Sequence, residues 1–148
     1  MTTKEKLELA LKTAMKAGDD VTRRTVRMVL AAIRQAEIDK QITLDEAAVL
    51  AIIQKELKTR REAVEEASRA NRADIVAVTQ AEIKVLEEFL PAALSEEELK
   101  AMAEAAIAEV GATGPADMGK VMKVLLPRVA GRLPGDRVSA AVRSLLQK

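Results

Sequence analysis

Phe89 is the only aromatic residue among 148, and Trp, Tyr, Cys and His are absent. A core without large rings must be built from aliphatic side chains, and nearly half of the chain, 49%, is hydrophobic. The residues that dominate (Ala, Leu, Val, Glu, Lys and Arg) favour helices over strands. The expected fold class is therefore all-α, in one domain or two small ones.

The same absences narrow the chemistry. Without Cys there is no disulfide, thiolate zinc site or cysteine nucleophile. Without His, the commonest general base and the commonest metal ligand are missing. Most hydrolase mechanisms are thereby disfavoured, and no catalytic residue, metal ligand or cofactor is expected. Apolar runs such as Ala47–Ile53 fall far short of the roughly 20 residues that span a membrane. The N-terminal MTTKEKLELA lacks the apolar core of a secretory signal. A soluble, cytoplasmic protein without a membrane partner is expected from these features.

Periodicity and caps divide the chain into seven helices. The first should run from Thr3 to Ala17 and stop at Gly18, which tolerates a left-handed cap. Asp19 or Asp20 caps a second helix, with Val26, Val29, Leu30 and Ile33 on its apolar side. Arg23, Arg27 and Arg34 share its other side, where a solvated salt-bridge face is the plainer explanation. Thr43-Leu44-Asp45-Glu46 reads as a capping box for a third helix reaching about Ala70, whose charged second half should project beyond the core. Asn71 marks a corner before a fourth helix over residues 73–89. Pro91 breaks the pattern, giving expected domains at 1–91 and 92–148.

Ser95-Glu96-Glu97-Glu98 forms another capping box, flanked by Leu94 and Leu99 as a staple. The fifth helix should end near Gly111, Asp117 should cap the sixth, and Pro127 should kink or end it. Residues 131–135 should form a turn before the last helix. The segment from 82 to 109 is acidic, whereas residues 110–148 carry seven cations against Asp117 and Asp136. That contrast points to a local anion-binding surface, and its competing explanation is a pair of helices whose charges balance internally.

The run KTRREAVEEASRANRADIVAVTQAEIKVLEEFLPAALSEEEL, followed by DMGKVMKVLLP and GRLPGDRVSAAVRSLL, resembles the GatB/YqeY family, and TRRTVRMVLAAIRQAE fits as well. The resemblance covers almost the whole chain, in the order of the stand-alone members. It implies an N-terminal four-helix region and a small three-helix domain like the tail of the amidotransferase B subunit. It further implies tRNA recognition, a family-level association with carbon–nitrogen ligation using glutamine as amido donor, and an aminoacyl-tRNA synthetase or amidotransferase as candidate protein partner. Asn71 stands where the family usually has glycine, Thr79 an acid, Phe89 a tyrosine and Ala67 often an aromatic.

The candidate nucleic-acid-binding residues are Gly119, Lys120, Lys123, Arg128, Arg132, Arg137 and Arg143. Cations gain affinity for phosphate by releasing counterions, without reading sequence. Gly119 either lets a phosphate approach the start of a helix or permits close helix packing. Single-strand readers stack bases on aromatic platforms, so this chain should grip backbone or folded shape. Glu87, Glu88 and Glu96–Glu98 are better explained by capping than by acid–base work. Lys120 lacks the glycine-rich loop of a phosphate-binding P-loop. Intrinsic catalysis is therefore not expected, and an amidotransferase reaction would belong to a partner. The alternative function is a protein–protein adaptor using the charged half of the third helix, Lys58–Arg72.

Overall fold

The computed structural model describes residues 1–129 and 131–147. Those residues form seven α-helices and one short 3-10 segment, with no strand among them. The contacts divide the chain into two units, Met1–Leu90 and Pro91–Lys148. Each has its own aliphatic core.

The first unit holds α1 (Thr3–Ala17), α2 (Asp20–Lys40), α3 (Glu46–Arg69) and α4 (Ala73–Glu87). Helix α1 starts with a complete capping box. Thr2 Oγ1 accepts the Glu5 amide at 3.2 Å, and the Glu5 carboxylate accepts the Thr2 amide at 2.9 Å. It ends at Gly18, whose φ of +70° is the left-handed geometry that a side chain resists. Asp19 then caps α2 by accepting the Thr22 amide. Leu7, Val26, Val29, Ile33, Ile53 and Leu57 are fully buried. Each such side chain contributes about 1.5–3 kcal/mol through removal from water.

The start of α3 departs from the expected capping box. Asp45 is the cap, accepting the Ala48 amide at 2.8 Å. Glu46 is thereby freed for a longer-range role: its two carboxylate oxygens accept the Thr3 amide at 3.1 and 3.2 Å. The second half of α3 is not a bare projection either. After the corner at Asn71, whose φ is +56°, α4 folds back along α3. Arg60 and Ala67 are buried as a result, and Arg61 reaches Glu87 at 3.6 Å.

The second unit holds α5 (Glu96–Val110), the 3-10 segment Pro115–Asp117, α6 (Met118–Val129) and α7 (Gly135–Leu146). The expected capping box at Ser95 and Glu98 forms in both directions. Leu94 and Leu99, on either side of it, enter the same core. Ala103 and Ala106 are fully buried among Val121, Leu125, Val138 and Val142. Small side chains there let α6 and α7 approach α5.

Asp117 does not cap α6, and of the two outcomes expected at Pro127, a kink or an end, the helix does not end there. Asp117 closes the 3-10 segment instead, and its carboxylate accepts the Thr113 amide at 3.0 Å. Pro127 lies inside α6, which continues to Val129. So near the end of the helix, the missing proline amide removes only one bond of the last turn. No helix among the described residues is long and apolar enough to cross a membrane.

Candidate nucleic-acid interface

Helix α6 buries Val121, Leu125 and Val129, so its helical period turns Gly119, Lys120 and Lys123 outward. All three are exposed. A Cβ built on Gly119 would meet nothing within 4 Å. That removes close packing as the reason for the glycine and leaves an open surface beside two lysines. Lys120 lies 3.9 Å from Asp117, and 74% of its side chain is exposed. Lys123 has no ion pair among the described residues.

Asp117 sits at the start of this face. The Thr113 amide first, and Lys120 to a lesser degree, hold its carboxyl below the usual aspartate value. A fixed anion beside the first turn of α6 already answers the positive end of the helix dipole. Contact with a phosphate therefore falls to the lysine side chains more than to the helix terminus.

The arginines of the candidate set behave differently. Arg128 is paired with Glu109. Arg132 reaches Glu98 at 3.7 Å and donates from Nε to the Ala92 carbonyl at 2.9 Å. Arg137 lies 3.4 Å from Glu96. All three carboxylates belong to α5, so the acidic helix partly neutralises the basic ones packed on it. These pairs are solvent-exposed and individually weak, worth at most about 1 kcal/mol each, but they compete with any incoming phosphate. Arg137 also borders a cleft of about 420 Å³ between α5 and α7, whose lining includes Leu99, Ala140 and Leu145.

Arg143 is exposed and without an ion pair among the described residues. Val138, Val142 and Leu146 face the core, and the helical period puts Arg143 and Arg137 on opposite flanks of that stripe. The seven candidates therefore do not converge on one face. Gly119, Lys120 and Lys123 stand together, three arginines belong to the α5 pairing, and Arg143 is separate. Sequence reasoning had the signal for this in the acidic segment before residue 110, but spacing could not say which carboxylates would meet which arginines.

In the first unit, the charged half of α3 is tied into the fold. Arg60 is 6% exposed. Its guanidinium bonds Glu56 at 2.6 Å and lies 3.9 Å from Glu82. Arg24 reaches Glu82 from α2 at 3.7 Å. No group of three or more acidic residues able to hold a metal ion occurs among the described residues.

A family model described as Yqey-like protein matches residues 4–146. Among similar proteins is "Altered inheritance of mitochondria protein 41, mitochondrial" of Eremothecium gossypii, 36% identical over 95% of this chain and 78% of that protein. The protein of the same name from Pyrenophora tritici-repentis is 30% identical over 95% of this chain and 79% of its own length. The one from Lachancea thermotolerans is 34% identical over 74% of this chain, and the match spans only 60% of its length. These names overturn the expectation of a cytoplasmic protein, since the relatives are described as mitochondrial. The features behind that expectation, the polar first ten residues and the absence of Cys, do not distinguish one reducing compartment from another.

Proposed function

The chain belongs to the YqeY-like protein family, and from that premise we propose that it is a tRNA-binding accessory module. It takes the phosphate backbone of folded tRNA on the outward face of α6, with Lys120 and Lys123 as the principal cations and Arg143 as an outlying one. The observation that carries this reading is the open surface at Gly119 beside an exposed lysine with no ion pair. Arg128, Arg132 and Arg137 contribute by giving up their α5 carboxylates, so their share is smaller.

Recognition is by charge and shape. Phe89, the one aromatic, packs half-buried against the core of the first unit, which leaves no platform for stacking a base. The chain has neither a Cys nucleophile nor a His base. The module therefore delivers or orients tRNA, and any carbon–nitrogen ligation with glutamine as amido donor belongs to a partner synthetase or amidotransferase. A salt-dependent gel shift with tRNA, comparing wild type with Lys120→Glu/Lys123→Glu, tests the proposal.

A further inference from the structure

Helix α2 carries Arg23, Arg24, Arg27 and Arg34, with no acidic residue between Asp20 and Glu37. Its inner side is anchored by Val26, Val29 and Ile33, all fully buried, so the outer side is held on a rigid element. Arg23, Arg27 and Arg34 form a row along that outer side, about 17 Å long at 1.5 Å rise per residue.

Of the acids of α2, Glu37 and Asp39 are engaged away from the row, and Asp20 pairs with its first member. Glu37 accepts the Leu44 amide at 2.9 Å and pairs with Lys4 at 3.1 Å. Asp39 accepts from the Gln35 side chain at 2.8 Å. Among the described residues, Arg23 forms an ion pair only with the exposed Asp20, at 2.9 Å, and Arg24 reaches across to Glu82. The polar contact of Arg27 is a thioether, Met15 Sδ at 3.8 Å. Among the described residues, neither Arg27 nor Arg34 has a carboxylate at ion-pair distance.

We infer that the outer face of α2 is a second phosphate-contact surface, which takes the backbone of the folded RNA bound by this protein. The inference rests on the tRNA-binding reading and extends it to the first unit. Arginine stays charged at any physiological pH, and its planar fork matches phosphate oxygens. A row of this length suits several successive phosphates, not a single small anion. A protein partner would use a large apolar anchor at the centre of the patch. The exposed residues beside the row are Ala31 and Met28, the latter 49% exposed, with four arginines around them, so charge dominates the patch.

The test uses the full chain, with bulk tRNA as probe and fluorescence anisotropy read at several salt concentrations. Arg27→Gln/Arg34→Gln is compared with wild type, with Arg27→Lys/Arg34→Lys as the charge-keeping control and thermal melts as the check on folding. The expected result is roughly tenfold weaker binding for the glutamine variant, and a log–log salt slope shallower by about 1.4–1.8, two phosphate contacts' worth. The lysine variant should recover most of the affinity. Wild-type-like binding by the glutamine variant overturns this inference and leaves the α6 proposal standing. Failure of the wild type to bind tRNA overturns both. Competition by poly-L-glutamate as effective, charge for charge, as tRNA overturns it in favour of an acidic protein partner.

Discussion

The Glu46 carboxylate accepts the backbone amide of Thr3, 43 residues away in sequence, through both of its oxygens at 3.1 and 3.2 Å. One side chain thus satisfies an open donor in the first turn of α1 and ties that turn to the start of α3. Thr3 is buried, so its amide has little water to turn to. Glu46→Ala should destabilise the protein by roughly 1.5–3 kcal/mol, the range for a charge-assisted hydrogen bond lost from a shielded donor. Glu46→Gln, which keeps one acceptor oxygen, should cost less. Urea unfolding midpoints of the two variants check this order.

Glu37 gives a pH dependence of defined sign. The Leu44 amide first, and Lys4 second, hold its carboxyl below the ordinary glutamate value of 4.5. A carboxylate with a lowered folded-state pKa adds stability that is fully present above its unfolded value. That stability is lost as pH falls through the folded value. Acid unfolding should therefore draw on Glu37 only below about pH 4.5. Glu37→Gln should lower stability near neutrality and flatten the acid limb. A variant as pH-sensitive as wild type below that point would remove Glu37 from the account.

Buried polar groups around α3 make two opposite predictions. Arg60 bonds Glu56 at 2.6 Å, and Glu82 lies 3.9 Å from its Nε. Arg60→Ala should cost about 3 kcal/mol, because it strips a partner from shielded carboxylates and leaves a gap where the arginine stem packed. Arg60→Met, which keeps the stem, should cost distinctly less. Thr25, by contrast, is 0% exposed and its hydroxyl has no hydrogen-bond partner. Thr25→Val should raise stability by about 0.5–1 kcal/mol by removing a desolvated hydroxyl at constant shape. Denaturant titration of both variants reads the signs directly.

Gly119 separates folding from function. Its added Cβ meets nothing within 4 Å, and alanine is favoured over glycine in a helix by about 1 kcal/mol. Gly119→Ala should therefore stabilise the protein by roughly 0.5–1 kcal/mol. If the open surface serves phosphate approach, the same variant binds tRNA more weakly than wild type. A thermal melt and a binding isotherm on the one variant decide the two points separately.

Helix ends were legible wherever the signal was local. Ser95 and Glu98 sit three residues apart and close on each other, and Gly18 supplies the positive φ that its position requires. At Thr43–Glu46 the same local rule pointed to the wrong cap. Asp45 lies one residue before the helix and took the capping position, while Glu46 was claimed by Thr3 from another helix. Asp117 failed as a cap for a similar reason, being held by Thr113 across the preceding loop. The candidate site was legible as a set of cations. What could not be read was their pairing, because Glu96, Glu98 and Glu109 meet Arg137, Arg132 and Arg128 only through the packing of α5 on its neighbours. Long-range partners of this kind depend on which helix faces meet, and periodicity alone does not specify that.

The most direct measurement is the affinity of the intact protein for tRNA as a function of salt, with Lys120→Glu/Lys123→Glu as the paired variant. The account predicts that wild type binds, that affinity falls steeply as salt rises, and that the variant binds more weakly with a shallower salt slope. Equal binding by the two proteins, or no binding by either at low salt, would contradict it.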